Sequence, residues 1–411
     1  MRSTLKQFMA NSPGAVAQAL ACSGELQCAG LAGSELPAGT MNRAPRSLAL
    51  RHISKKEEFA RMKASISLRG AVCHVAVLAA LAGLASVQLS AQMLINGAGA
   101  TFPAPIYQKW FSDFNSVDSN VQINYQAIGS GGGIRQVTEG TVDFGASDGP
   151  MTDQQLAEYQ QKHGFPVLHF PTVLGAAVPT YNIPGVTASL DFTPEALAGI
   201  FLGKIKRWSD PAIQKTNPNV TLPPREIVVI HRSDGSGTTY CWTDYLSKIS
   251  SEWKSKVGRN TSVNWPAGLG GKGNDGVAGL VKQTSGAIGY VELIYAVRNH
   301  MAYGLVRNSA GEFIKANLSS VSSAAADAAE KMPADYRVSI TNAPGKESYP
   351  ISTFTWLLVP SKINDAGKRD AIKKFLKWAL TDGQKSASSL QYAPLPKALQ
   401  SRELGDISKI H

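Results

Sequence analysis

The chain is poor in cysteine and in charged residues. It has four cysteines among 411 residues, and Cys22, Cys28 and Cys73 all precede Ala91. Only Cys241 follows, so that part of the chain cannot form an intramolecular disulfide and must rely on its hydrophobic core. Charged residues make up 17% and hydrophobic residues 43% of the chain. This balance excludes wholesale disorder, a collagen helix and a coiled coil.

Positive charge is concentrated at the N-terminal end. Of the formal net charge of +11, residues 1–91 contribute +6, from ten Lys and Arg against four Asp and Glu. The Lys and Arg of the later residues are scattered singly, without the interleaved aromatic residues of a nucleic-acid groove. We therefore expect no nucleic-acid partner. The length allows about two to four domains.

An N-terminal segment has the order of a secretory signal peptide. Lys63 and Arg69 precede an uncharged run at residues 70–87, and a small residue, Ala91, follows shortly after. This order predicts export with cleavage near Ala91. A transmembrane anchor is the alternative, because about 18 apolar residues are the lower limit for crossing a bilayer.

Cys73 lies at the start of the apolar run, whereas a lipid-accepting cysteine would lie just after it. We therefore expect no lipid anchor. Met62 would make an ordinary start for such a signal, which gives a predicted signal peptide at residues 62–91. Residues 1–61 show no sustained periodicity, and we predict that they are an untranslated or disordered extension.

After the signal, strand-like and helical patterns alternate, which predicts an α/β fold with a mixed or parallel sheet. The predicted strands are residues 121–125, 141–146, 227–231 and 354–359. One predicted helix begins at Ile134, and two others cover residues 239–249 and 370–380. Residues 223–224 and 341–350 are typical of surface connections or hinges.

Glycine and hydroxyl residues recur where a strand or turn leads into a helix. Three such loops are residues 97–103, 129–133 and 232–238. Each offers backbone N–H groups, a hydroxyl donor and the positive end of a helix dipole, which together can hold an oxyanion. The alternative is ordinary helix capping, and we expect Pro103 in a first helical turn and Ser130 as a helix cap.

Two charged residues distinguish these loops. Arg232 ends an apolar strand, and its guanidinium can bind a phosphate or carboxylate through two bonds while Asp234 orients it. The alternative is a surface arginine paired with an aspartate. A fourth loop, residues 143–150, brings Asp148, which would repel an anion unless the anion donates a hydrogen bond to it.

Other motif matches are weaker. A G-x-S-x-G pattern around Ser147, with His300 as a distant base, fits a nucleophile elbow, but Pro150 suits the required helix poorly. Residues 268–273 match G-x-G-x-x-G, but a proline shortly before them interrupts the required strand, so a turn capped by Asn274 is expected. A Walker A motif and metal-ligand histidine spacing are both absent from the sequence, so neither a metal nor a cofactor is expected.

Six blocks of the sequence resemble, in the same order, those of the periplasmic phosphate-binding proteins that serve ATP-binding-cassette (ABC) phosphate transporters. They are GAGATFPAP at 97–105, GSGGG at 129–133, VDFGASD at 142–148, RSDGSGT at 232–238, GLGGKGNDG at 268–276 and GAIGYVE at 286–292. The resemblance covers nearly all of residues 94–400. It implies an α/β, two-lobed periplasmic-binding-protein fold of type II-like form, with a hinge and a central ligand cleft. It places one lobe at 92–174 plus 342–411 and the other at 175–341.

The resemblance also implies a phosphate site. Asp148 would accept the proton of the ligand, Arg232 would be the single arginine, and Asp234 would support it. The ligand-binding residues implied are Thr101, Phe102, Ser130, Asp148, Arg232, Ser236, Gly237 and Thr238. The sequence departs from the family at Gly131, where many relatives have a second serine, and in residues 1–61, which the family lacks.

The function implied is high-affinity capture of inorganic phosphate in the periplasm and delivery to the inner-membrane permease subunits of an ABC importer. Such a protein is not an enzyme, needs no cofactor or metal, and is expected to be a monomer. Two alternatives stay open: a secreted phosphatase or esterase that uses Ser147, and the same fold binding another oxyanion.

Overall fold

A computed structural model describes residues 92–330 and 332–411. The predicted extension at 1–61 and the predicted signal peptide at 62–91 lie outside the described residues. In the part of the chain that is described, no helix combines the length and the apolar character needed to span a membrane.

The strands are short except for two in the middle of the sheet. In chain order they are β1 (Met93–Gly99), β2 (Val121–Ala127), β3 (Phe144–Ser147), β4 (Val167–Asn182), β5 (Asp191–Phe192), β6 (Val228–Arg232), β7 (Leu269–Gly271), β8 (Ala287–Glu292), β9 (Ala302–Tyr303), β10 (Leu305–Arg307), β11 (Phe313–Ile314) and β12 (Ser352–Pro360). The larger sheet has the order β2-β1-β3-β12-β4-β8-β6-β7, with β9 beside β4, and a smaller sheet has the order β11-β10-β5.

The helices follow most of the strands. In chain order they are α1 (Ala104–Val117), α2 (Ser130–Glu139), α3 (Asp153–His163), α4 (Pro194–Phe201), α5 (Pro211–Gln214), α6 (Gly237–Ile249), α7 (Ser251–Lys256), α8 (Gly273–Gln283), α9 (Leu293–Arg298), α10 (Leu318–Glu330), α11 (Ala366–Leu380) and α12 (Lys397–Asp406). Short 3₁₀ turns cover Gly383–Ser386, Ser388–Leu390 and Ile407–Lys409.

The sheet is mixed, as the sequence predicts. Strand β1 pairs in parallel with β2 and β3, and β6 pairs in parallel with β7 and β8. Strand β4 joins these two parallel groups: its residues 167–176 pair antiparallel with β12, and its residues 177–182 pair antiparallel with β8. The pairing partner of one continuous strand therefore changes between Ala176 and Ala177.

The core forms where the predicted apolar helix faces meet the sheet. Helix α1 buries Ile106, Trp110 and Phe114, which recur at the helical period, and the Phe375 ring of α11 lies 5.4 Å from that of Phe114. Each fully buried side chain of this size contributes about 1.5–3 kcal/mol. This packing fixes the helix whose N-terminus follows β1.

Several predicted boundaries differ from the structure. Strand β3 begins at Phe144; just before it, the Asp143 N–H donates to the Asn96 carbonyl and the Asp143 carboxylate accepts from the Asn96 N–H. Helix α1 begins at Ala104, so Pro103 is its N-cap residue and the proline in its first turn is Pro105.

The predicted roles of two other residues as caps are wrong. Helix α2 begins at Ser130 itself, since Gly129 takes the N-cap position with a φ of 90°. Asn274 lies inside the first turn of α8, whose N-cap is Lys272. Residues 341–350 are also not a surface connection throughout, because Ser348 and Tyr349 are buried.

Candidate functional site

The loops at the ends of β1, β2, β3 and β6 bring the predicted site residues into one buried region. The side chains predicted to bind the ligand are buried: Thr101, Phe102, Ser130, Asp148, Arg232, Ser236 and Thr238. The predicted supporting residue, Asp234, is half-buried. Gly237, which has no side chain, is buried as well. The loops come from opposite ends of the sheet order, and the hydrogen bonds described next connect them.

Ser130, Gly237 and Asp148 meet where α2 and α6 begin. The hydroxyl oxygen of Ser130 accepts a hydrogen bond from the Gly237 N–H at 2.9 Å and from the Asp148 N–H at 3.3 Å. The side chain of Ser130 therefore bonds to distant segments instead of capping its own helix. A Cβ atom at Gly237 would lie 2.5 Å from Ser130 Oγ and 2.6 Å from Asp148 Cβ, so only glycine fits there. Ser236 caps α6 by accepting from the Thr239 N–H at 3.0 Å.

Arg232 is 3% exposed, so it is not the surface arginine of the alternative interpretation. Its Nε donates to Asp234 Oδ1 at 2.8 Å, its Nη2 donates to Asp234 Oδ2 at 2.5 Å, and its Nη1 donates to Thr238 Oγ1 at 3.3 Å. Asp234 also accepts from the Gly273 N–H at 3.0 Å. Burial on its own raises the pKa of Asp234, but the bonds and charge of Arg232 outweigh it and hold that pKa below its ordinary value.

Asp148 is 1% exposed, and its Oδ1 accepts a hydrogen bond from Thr355 Oγ1 at 2.9 Å. Burial raises the pKa of Asp148 to about 7, although the Thr355 bond and the charge of Arg232 both lower it. Its carboxyl group can therefore hold or release a proton near neutral pH.

The Thr101–Phe102 segment is held through its backbone carbonyl groups. Tyr295 Oη donates to the carbonyl of Thr101 at 2.6 Å, and Tyr392 Oη donates to the carbonyl of Phe102 at 2.6 Å. The two tyrosines come from distant parts of the chain. They fix the turn that leads from β1 into α1.

Sequence reasoning missed two residues of this region. Asn274 bonds to Thr101 and to Thr238, and Thr355 bonds to Asp148. Asn274 lies in the glycine-rich block at 268–276, which is a usable signal, but the local pattern predicts only a turn cap. Thr355 is one residue of a buried strand, and nothing in its local pattern distinguishes it from its neighbours.

Glu292, at the end of β8, is a buried acid beside the site. Its Oε2 accepts from the Ile294 N–H at 2.8 Å, while its Oε1 has no hydrogen-bond partner among the described residues. Burial raises the pKa of Glu292 well above its ordinary value, and the bond from Ile294 offsets only part of this effect. The folded protein therefore favours the protonated, neutral form of this acid.

The structure does not bring Ser147 and His300 together as a catalytic pair. Ser147 is buried, and its hydroxyl donates to the backbone carbonyl of Gly149. His300 lies in a surface groove lined by Tyr181 and Lys282. Within the described part of the chain, no group of three or more His, Cys, Asp and Glu side chains is placed to hold a metal ion.

Comparison with known proteins identifies relatives over most of the chain. The family model of the PBP superfamily domain matches residues 85–383. The phosphate-binding protein PstS of Xylella fastidiosa (strain Temecula1) is 45% identical over 315 residues, which covers 76% of this chain and 85% of the relative. The phosphate-binding protein PstS of Pasteurella multocida (strain Pm70) is 46% identical over 304 residues, covering 74% and 86% of the two chains.

Solved structures share the fold. A high-affinity periplasmic phosphate-binding protein called PfluDING, bound with phosphate, matches with a TM-score of 0.61 and 20% identity, covering 76% of this chain and 93% of that one. A phosphate-binding protein from Stenotrophomonas maltophilia matches with a TM-score of 0.58 and 19% identity over 76% and 93% of the chains. The predicted α/β, two-lobed periplasmic-binding-protein fold is thus confirmed, and the chain belongs to the PstS family of phosphate-binding proteins within the PBP superfamily.

Proposed function

We propose that the protein binds inorganic phosphate in the buried region between its lobes and delivers it to an ABC import permease, without catalysing a reaction. One observation carries the proposal. A buried arginine, the N-terminus of α6 and a buried carboxyl with a pKa near 7 converge with hydroxyl groups from both ends of the sheet. This set offers many donors for an oxyanion and one acceptor for its proton.

The guanidinium of Arg232 supports the role of anion ligand. Three of its five N–H groups have partners: those on Nε and Nη2 donate to the Asp234 carboxylate, and one on Nη1 donates to Thr238. One N–H on Nη1 and one on Nη2 remain, and in the proposed complex they donate to phosphate oxygens. Asp234 fixes the plane of the guanidinium, so little ordering is needed when the ligand binds.

The α6 N-terminus supplies the next donors. In the proposed complex, a phosphate oxygen accepts from the N–H of Gly237 and from the hydroxyl of Ser130, in place of the bond between them. Thr101, Phe102, Ser236 and Thr238 complete the set. The Asp148 carboxylate accepts a hydrogen bond from the proton of hydrogen phosphate. Sulfate has no such proton at neutral pH, so a bound sulfate would place a negatively charged oxygen against the buried carboxylate with no hydrogen bond between them.

We further propose that the lobes comprise 92–174 plus 342–411, and 175–341, and that they close around phosphate. The change of pairing partner in β4 between Ala176 and Ala177 supports the first crossing point. Closure would desolvate the anion while satisfying its oxygens. Small-angle scattering should show a smaller radius of gyration at saturating phosphate than in the phosphate-free protein, and an unchanged radius would contradict closure.

The site of action we propose is the periplasm, with the protein acting as a monomer on inner-membrane permease subunits. The signal-like segment before Ala91 supports export, and the PstS relatives are named as binding proteins, not as enzymes. The buried hydroxyl of Ser147, bonded to its own loop, offers little support for a hydrolase. Turnover of chromogenic phosphate or acyl esters that disappears in Ser147→Ala would overturn the non-catalytic proposal.

Calorimetric titration tests the binding function directly. Protein stripped of phosphate should bind one phosphate per chain. It should also bind arsenate, which has nearly the same shape as phosphate and also carries a proton, and it should bind sulfate far more weakly. Preferential binding of sulfate or a phosphonate would instead support the same fold with another ligand.

A further inference from the structure

Asn274 makes four hydrogen bonds at the centre of the site. Its Nδ2 donates to Thr101 Oγ1 at 2.9 Å and to Thr238 Oγ1 at 3.3 Å, and its backbone N–H donates to Thr101 Oγ1 at 3.2 Å. Its Oδ1 accepts from the backbone N–H of Glu292 at 3.0 Å. The side chain is fully buried, and Thr101 lies 173 residues away in the sequence.

The orientation of this amide follows from its partners. The Glu292 N–H can only donate, so the atom facing it must be the amide oxygen of Asn274. The NH₂ group must then face the two threonines. A flipped amide would place its NH₂ group against the Glu292 N–H and lose that bond.

The bonds to the threonines determine where their hydroxyl hydrogens point. A hydroxyl group has two lone pairs and one hydrogen. Thr101 Oγ1 accepts from the Nδ2 and the backbone N of Asn274, and Thr238 Oγ1 accepts from Asn274 Nδ2 and Arg232 Nη1. Both lone pairs of each oxygen are occupied, so each hydroxyl must donate its hydrogen to a further acceptor.

On the basis of the proposed phosphate site, we propose that Asn274 is a positioning residue that presets the hydroxyls of Thr101 and Thr238 as donors to the bound anion. It also ties the proposed lobe that carries Thr101 to the one that carries Thr238. Its NH₂ group acts through these hydroxyls, and the Glu292 backbone holds it in place.

A double-mutant cycle separates this role from a merely structural one. Asn274→Leu keeps the approximate volume but removes the side-chain bonds, and it should weaken phosphate binding about 10- to 100-fold. In a Thr101→Val background, which has no hydroxyl to orient, the further effect of Asn274→Leu should be at least about threefold smaller. Equal effects in both backgrounds, measured by calorimetry on protein shown to be folded, would contradict the inference.

A second variant provides a readout that does not depend on Asn274→Leu folding well. Asn274→Asp is nearly isosteric, but an ionised carboxylate accepts from the two threonines and draws their hydrogens away from phosphate. Its phosphate affinity relative to wild type should be at least about tenfold lower near pH 8 and should recover as the pH falls and the new carboxyl is protonated. A ratio to wild type that does not change with pH would contradict the inference.

Asn217 offers a matched control. It is also a buried asparagine, and it accepts from the Asp191 N–H at 2.8 Å and donates to the Ile213 carbonyl at 2.9 Å. Asn217→Leu should lower the melting temperature without changing phosphate affinity. Failure of wild-type protein to bind phosphate would contradict the proposed function itself, whereas wild-type binding with unchanged affinity in both Asn274 variants would contradict this inference alone.

Discussion

Gly237, the first residue of α6, lies so close to Asp148 that its amide and the Asp148 amide share one acceptor, the hydroxyl oxygen of Ser130. A Cβ atom at Gly237 would come within 2.6 Å of the Cβ and N atoms of Asp148. The approach joins a helix N-terminus to a buried acid across the proposed cleft. Any side chain at position 237 would clash with Asp148 and prevent this close approach.

Gly237→Ala should therefore weaken phosphate binding about tenfold or more, because overpacking of this kind costs about 1–3 kcal/mol. The measurement is a calorimetric titration with phosphate. Gly279→Ala, in the interior of α8, is the control, since a Cβ there meets no atom within 4 Å. It should raise stability slightly and leave affinity unchanged. Equal affinity in the two variants would mean that the approach of Gly237 is not needed for binding.

Arg232→Ala should be the most damaging truncation in the site. It removes the buried guanidinium and leaves the half-buried Asp234 without that partner, and truncating one member of such a pair costs about 2–5 kcal/mol of binding free energy. Arg232→Lys keeps the charge but cannot make the paired bonds to Asp234 and phosphate together, so its affinity should be intermediate.

The matched control for Arg232 is Arg307→Ala. Arg307 pairs with Glu195 at 3.0 Å at the surface, where such pairs contribute little. Phosphate affinity should not change in this variant. Tight phosphate binding by Arg232→Ala would place the site elsewhere.

The discrimination against sulfate should depend on pH. The pKa of Asp148 is raised to about 7, so its carboxyl is protonated below that pH and ionised above it. A protonated carboxyl can donate to a sulfate oxygen, whereas an ionised one repels it. Sulfate should compete with phosphate clearly better near pH 5.5 than near pH 8.5. The preference for phosphate over sulfate should rise by up to about tenfold for each pH unit above the pKa of Asp148. Competition that does not vary with pH would show that this carboxyl does not control the selectivity.

Glu292→Gln should make the protein less sensitive to rising pH. An unfolded glutamate ionises above its ordinary pKa of 4.5, whereas the buried Glu292 stays protonated well above it, so the folded state loses relative stability as the pH rises through that interval. Glutamine keeps an oxygen for the Ile294 N–H and has no proton to lose. The free energy of unfolding of the variant should be similar to that of wild type near pH 4. Above that pH, the difference in favour of the variant should grow by up to about 1.4 kcal/mol for each pH unit.

Urea unfolding at several pH values between about 4 and 8 measures this difference. A stability difference between Glu292→Gln and wild type that is constant over the whole range would contradict the assignment of a protonated acid.

The sequence predicts the buried side chains of α1 and α11 well, because their apolar residues recur at the helical period. It also predicts the α/β class and the loops that reach the site. It does not predict that Ser130 bonds across to Gly237, because helix starts and caps use the same residue types, and only tertiary contacts decide between them. The local patterns of Thr355 and Asn274 do not predict their contacts for a related reason: each bonds to a site residue more than 100 positions away in the sequence.

The binding roles proposed for Asp148 and Arg232 rest on the family resemblance more than on local pattern. A single aspartate after a strand is common in turns, and only its burial and raised pKa in the folded protein mark it as unusual. Arg232 reads locally as a surface residue beside an aspartate. Its burial is set by the chain packed around it.

The most direct test of the account is a competition titration of phosphate against sulfate near pH 8, in wild type and in Asp148→Asn. The substitution keeps the size and can still accept from Thr355, but it removes the negative charge and adds an NH₂ donor. Wild type should bind phosphate and exclude sulfate, and Asp148→Asn should lose at least about tenfold of that preference. An Asp148→Asn protein that excludes sulfate as strongly as wild type does would contradict the claim that Asp148 recognises phosphate through its proton.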